Sequence, residues 1–128
     1  MTFFLLFNHR LSPEQEADAR KSLDVNNFTY LPDDLQALWS QVPPEPETLH
    51  AHVAPVLHWL DTHAQAGDVV MVQGDYGVTW IAVNHCLSKG YLPVYGTTGR
   101  QTVETPQPDG SVKIERVFRH VRFRRYGQ

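Results

Sequence analysis

Apolar positions in this chain fall into two kinds of segment, short continuous runs and longer stretches with helical spacing, and their alternation predicts an α/β domain. Thr2–Phe7 is a continuous apolar run of strand length, as expected for a strand covered on both faces. Ser12-Pro13-Glu14-Gln15 is a helix start: Ser12 caps, Pro13 suits the first helical position and Gln15 completes a capping box, with the helix running to about Leu23. Phe28–Leu31 reads as a second strand. Pro32-Asp33-Asp34 opens a helix through Leu35, Leu38 and Trp39 that stops near Pro43-Pro44. A longer helix starts at Pro46 and carries Leu49, Val53, Val56, Leu57 and Leu60 on one face, with a kink or break expected at Pro55.

Asp68–Gln73 is the clearest strand; its Val-Val-Met-Val run suits a central position. Gly74–Gly77 is a turn, Val78–Lys89 a helix closed by Gly90, and Pro93–Tyr95 a fourth strand. This order calls for a parallel sheet with right-handed crossovers. Two further strands, Gln101–Thr105 and Ser111–Phe118, flank Pro106–Gly110, where Asp109-Gly110 signals a hairpin. The expected architecture is therefore one domain, residues 1–128, with a Rossmann-like sheet of four parallel strands extended by a C-terminal hairpin and helices on both faces.

Composition adds bounds. The 128 residues are 41% hydrophobic and 20% charged, ordinary globular chemistry. No apolar run approaches the ~20 residues that span a membrane, and the first residues lack the basic start and cleavage site of a signal peptide. A lone cysteine, Cys86, excludes an internal disulfide and a cysteine-based metal cluster. A cytoplasmic protein is expected. The net charge of −3 hides an asymmetry, because Arg100, Lys113, Arg116, Arg119, Arg122, Arg124 and Arg125 crowd the tail. That points to a local anionic partner rather than long nucleic acid.

Ligands of open α/β sheets bind outside the carboxyl ends of the strands. This rule selects Asn8, His9 and Arg10 after the first strand and Tyr30 near the end of the second. It also selects Gln73, Gly74, Asp75, Tyr76 and Gly77 after the third strand, and Gly96, Thr97, Thr98, Gly99 and Arg100 after the fourth. Glycine turns and a helix N-terminus suit an anion. Equally, the glycines permit a tight turn and Asp75 serves as an N-cap. In the run after Phe118, alternation puts His120, Arg122 and Arg124 on one face and Val121 and Phe123 on the other, either as a cationic row near a ligand or as a charged edge strand. His50, His52, His58 and His63 lie on a helix without convergent metal spacing, and no metal or cofactor is expected.

Phe7-Asn8-His9-Arg10-Leu11, Tyr30-Leu31-Pro32, Gln73–Gly77, Tyr95–Arg100 and His120–Arg124, in this order and spacing, resemble the stand-alone CARF-like ring nucleases of type III CRISPR systems. The resemblance implies a homodimer that binds cyclic tetra-adenylate and linearises it without metal: the ribose 2′-hydroxyl attacks the adjacent phosphate, the 5′-oxygen leaves, and the product carries a 2′,3′-cyclic phosphate. His9 is then the expected base or orienting group, and Arg100 or Arg122 the stabiliser of phosphoryl charge. Asp75 would orient His9 or contact adenine, while Tyr30 and Tyr76 would stack on bases. A sensor or sponge that binds the ring without cutting it is the rival expectation. An unrelated nucleotide-binding domain is disfavoured, because the chain has neither GxGxxG nor a Walker-type Gly-Lys-Ser/Thr.

Overall fold

Nine elements follow one another: β1 (Thr2–Leu6), α1 (Pro13–Ser22), β2 (Asn27–Tyr30), α2 (Asp33–Ser40), α3 (His50–His63), β3 (Val69–Val72), α4 (Tyr76–Lys89), β4 (Leu92–Pro106) and β5 (Val112–Arg125). They are described by a computed structural model that covers Met1–Gln128. The strands form one mixed sheet in the order β2-β1-β3-β4-β5, parallel throughout except for the antiparallel β4–β5 pair.

The α/β class holds, but the sheet differs from four parallel strands plus a separate hairpin. The expected fourth strand and first hairpin arm are one continuous strand, β4, so Gly96–Arg100 is ladder and not loop. β5 pairs across this whole stretch, which satisfies the backbone groups that a loop would leave to other partners. Glycine inside a strand marks a bulge or a close approach as readily as a turn. Both occur here: the ladder shifts register between Thr97 and Thr98, and a Cβ on Gly99 would sit 3.2 Å from the Val121 side chain.

Elsewhere local signals translate directly. Ser12 and Gln15 form the capping box of α1, with Ser12 Oγ accepting from the Gln15 N–H at 3.2 Å and Gln15 Oε1 from the Ser12 N–H at 2.8 Å. Gly90 closes α4 in the left-handed conformation, φ 79°. α3 begins at His50, four residues after Pro46, and runs through Pro55 without a break.

Phe3–Leu6 of β1 and Val69–Val72 of β3 are buried along their lengths. Phe4, Leu6, Val70 and Val72 pack with Trp39 of α2, Val53, Val56 and Leu60 of α3, and Val78 and Ala82 of α4. Phe3, Leu5, Val69 and Met71 pack on the other side with Ala19 of α1, Leu11, Val25 and Val94. Each such side chain contributes about 1.5–3 kcal/mol through burial. Two helix layers thus pin β1 and β3, and with them the loops that leave their carboxyl ends. No helix is long and apolar enough to cross a membrane.

β3 pairs only with Leu92–Val94 of β4. Beyond that point β4 and β5 continue as a two-stranded arm, roughly 35 Å long at ~3.3 Å per residue, that rises from the carboxyl edge of the sheet.

Candidate functional site

The chain leaves β1 through Phe7–Arg10, held by the Gln36 side-chain amide, which donates to the Phe7 carbonyl at 2.8 Å. Tyr30, at the end of β2, reaches the same place: its hydroxyl accepts from the Leu11 N–H at 3.1 Å, and the Arg10 guanidinium lies over its ring at 4.0 Å. Asn8, His9, Arg10, Tyr30, Asp33 and Gln36 line a hollow of about 160 Å³. His9 is exposed, its ring edge-on to Phe7 with centroids 5.5 Å apart. The residues selected after β1 and β2 are therefore one cluster.

The turn after β3 is built for packing. Gln73 joins three elements: its N–H donates to the Leu6 carbonyl at 3.0 Å, its carbonyl accepts from Trp39 Nε1 at 3.1 Å, and its Oε1 accepts from the Gly96 N–H at 2.7 Å. A Cβ at Gly74 would meet the Trp39 indole at 2.9 Å, and one at Gly77 would meet Leu49 Cδ1 at 2.7 Å. These glycines leave room for the close approach of Trp39 and Leu49. Asp75 caps α4, Oδ2 accepting from the N–H groups of Gly77 at 2.9 Å and Val78 at 3.2 Å. A carboxylate already occupies that helix N-terminus, which is unfavourable for an anion there, and Asp75 is committed to the cap rather than to His9. Tyr76 projects into solvent, 95% exposed.

The C-terminal row splits. Thr97 is opposite Arg122, but Thr98 is opposite His120, so Val121 is the extra residue of a bulge. One extra residue reverses the alternation, and His120 does not share a face with Arg122 and Arg124. Instead it turns toward α1: its Nε2 is 2.6 Å from Asp18, its ring lies 4.7 Å from Phe123, and its side chain is only 6% exposed. Burial opposes ionisation of Asp18, but hydrogen bonds from Ser22 and His120 prevail and hold its carboxyl below the usual value. His120 is thus a packing residue and not an available ligand.

Arg122 and Arg124 stay exposed on the other face. Thr97 Oγ1 is hydrogen-bonded to the Arg122 carbonyl at 2.9 Å and to its N–H at 3.2 Å. Arg124 donates to the Tyr95 hydroxyl at 3.1 Å, and Tyr95 packs on Tyr126 with centroids 4.8 Å apart. Tyr126 donates to the Val72 carbonyl and so ties the chain end to β3; burial pushes its phenol pKa up. Arg100 pairs with Phe118, on the face that carries Thr98 and His120, with its guanidinium 5.4 Å from the Phe118 ring. The two arginines expected to act alternatively therefore lie on opposite faces of the arm.

Sequence reasoning gave no role at this edge to Tyr95, Tyr126 or Trp39, which look like ordinary aromatics until their partners are known. It also missed a hollow of about 580 Å³ where the start of α1 meets the arm, bordered by Thr98, Phe118 and the Glu14–Arg119 ion pair at 2.7 Å. His85 lies away from the edge, bonded at 2.9 Å to Asp61, which also accepts from the Tyr91 hydroxyl at 2.8 Å.

Residues 1–124 match the model of the family described as "Uncharacterized protein MJ1673 family". The chain belongs to the MJ1673 family. It is 42% identical over 123 residues to "Uncharacterized protein MJ1673" of Methanocaldococcus jannaschii, across 96% of this chain and 95% of that one. No solved structure matches the chain. The region shared with the MJ1673 family takes in the whole carboxyl edge, from Asn8 to Arg124.

Proposed function

We propose that this MJ1673-family protein is a ring nuclease that binds cyclic tetra-adenylate as a homodimer and linearises it, ending the signal the ring carries in type III CRISPR defence. The observation that supports this most is the convergence of Asn8, His9, Arg10 and Tyr30 in one open hollow at the carboxyl edge of the sheet, from which an arm with Arg122 and Arg124 exposed at its base also rises. A Rossmann-like, CARF-like classification agrees with the β2-β1-β3-β4 order and with helices on both sheet faces. The fold alone decides nothing, since such sheets host many functions.

In this reading His9 takes the proton of the ribose 2′-hydroxyl. The 2′-oxygen forms its bond to phosphorus as the P–O5′ bond breaks, and the 5′-oxygen leaves with a proton, giving a 5′-hydroxyl and a 2′,3′-cyclic phosphate. Arg122 stabilises the phosphoryl oxygens, in preference to Arg100 on the opposite face. Arg124 and Arg10 add cationic contacts, and Tyr30 offers its ring to the bases. The work is positional: attacking and leaving oxygens must be brought into line. The protein would act in the cytoplasm with no cofactor.

The test is incubation of the protein with cyclic tetra-adenylate in the presence of chelator, with products resolved by chromatography. Linear products ending in 2′,3′-cyclic phosphate are expected, and His9→Ala should slow turnover more than it weakens binding. Intact ring that co-migrates with the protein would replace the nuclease by a sponge. Cleavage that needs an added divalent ion would overturn the metal-free route.

A further inference from the structure

The largest exposed apolar side chains of the helical layers lie on one stripe of α4. Tyr76, Trp80 and Leu87 are its exposed members, and with Val83, which is buried in the core between them, they follow a 4-3-4 spacing, the seam of a coiled-coil pair. Tyr76 is 95%, Trp80 71% and Leu87 56% exposed, whereas Val78, Ala82 and Cys86 on the inward face are fully buried. α4 is thus apolar on both sides, and this domain covers only one of them. From Tyr76 to Ser88 it contains no Asp, Glu, Lys or Arg. An apolar hollow of about 360 Å³ lies beside the seam, between Trp80 and Leu87 on one side and Tyr126 and Gly127 on the other.

We infer that this stripe is the dimer interface, with α4 of one copy packed in parallel against α4 of a second copy across a two-fold axis running along the helices. The inference deepens the functional reading, which needs two copies. Three observations select a second copy as occupant. An uncharged stripe repels no copy of itself and offers nothing to a charged partner, and charge is depleted from interface cores. Two exposed aromatic rings at ~150–250 Å² each, together with Leu87, present roughly 500 Å² per copy. The pair then buries about 1,000 Å², the lower bound of a specific interface. Finally, α4 begins at the carboxyl edge, four residues after β3 ends. Parallel pairing puts the two Tyr76 rings together and sets both edges side by side, with Arg122 and Arg124 of each copy flanking one shared opening. An antiparallel pair would send the edges to opposite ends, and neither site could hold a ring across the axis. An isologous contact of this kind closes at two copies.

Sedimentation of the ligand-free chain, with its variants, tests the surface. The native protein should be a dimer at micromolar concentration, and Trp80→Glu a monomer with an unchanged far-ultraviolet spectrum, since Trp80 supports no core. Leu87→Cys should form a disulfide with its own copy under mild oxidation, because parallel pairing brings residue 87 against itself; Cys86 is buried and stays silent. A Trp80→Glu protein that remains dimeric, a native protein that stays monomeric, or Leu87→Cys that links only to Tyr76→Cys protomers would each overturn the inference. The two failures are separable: a dimer through α4 that leaves the ring uncut sinks the nuclease alone, and a protein that cuts the ring but pairs elsewhere sinks the seam alone.

Discussion

Replacing Gly74 by alanine distinguishes a glycine that serves ligand approach from one that serves packing. The new methyl would stand 2.9 Å from Trp39 Nε1, 3.0 Å from Cε2 and 3.2 Å from Cζ2, closer than real side chains settle. Trp39 is 1% exposed and packed on every side, so the indole has little room to retreat. Overpacking a core costs about 1–3 kcal/mol. Moving the indole also breaks its 3.1 Å hydrogen bond to the Gln73 carbonyl, and an unpaired buried polar group costs about 1–3 kcal/mol. The two costs overlap, so a loss of about 2–4 kcal/mol is expected, lowering Tm by about 10 °C in a domain of this size. Urea and thermal unfolding followed by circular dichroism measure it. A double-mutant cycle isolates the cause: in a Trp39→Phe background, Gly74→Ala should cost at least about 1 kcal/mol less, because the clashing atoms and the hydrogen bond are already gone. A loss below about 0.5 kcal/mol, or the same loss in both backgrounds, would refute the packing account and return Gly74 to the ligand.

Three further outcomes follow from the structure. His120→Ala should destabilise the fold by about 1.5–3 kcal/mol in urea unfolding, because it strips a charge-assisted hydrogen bond from Asp18 and opens a gap beside Phe123; an unchanged midpoint would show that the pair carries no stability. Asp18 and Asp61 are both held below the ordinary carboxylate value, against burial, by hydrogen bonds from Ser22 and His120 and from His85 and Tyr91 respectively. Their contribution is present above the unfolded value near ~3.9 and lost as pH falls through the lower folded values, so Tm should drop on acidification below about pH 4, less steeply in Asp18→Asn. A Tm that holds steady through that window would contradict the assignment. Burial pushes the Cys86 thiol up to about 12, so a thiol reagent at pH 8 should leave the native protein unlabelled and label it fully in denaturant; rapid native labelling would mean that α4 opens.

What the linear chain determined by itself is local chemistry. The apolar runs at Thr2–Phe7 and Asp68–Gln73 name the two central strands, because only a strand covered on both faces tolerates such continuity. Ser12–Gln15 and Gly90 mark helix ends whose capping bonds close within a few residues. The same reasoning gathered Asn8, His9, Arg10 and Tyr30 at one edge, since crossover topology alone puts successive strand ends together. Tertiary structure decided the rest, wherever the deciding partner is distant in sequence. Gly96–Gly99 carries the residues of a loop, yet β5 pairs across it and makes it strand. One bulge at Val121 turned His120 away from Arg122 and into the arms of Asp18, 102 residues away. Gly74 and Gly77 resemble a phosphate turn until Trp39 and Leu49 fill the space above them. Short-range propensities fix what a segment tends to be; which neighbour claims its backbone and its free volume is settled only when the sheet and its two helix layers close.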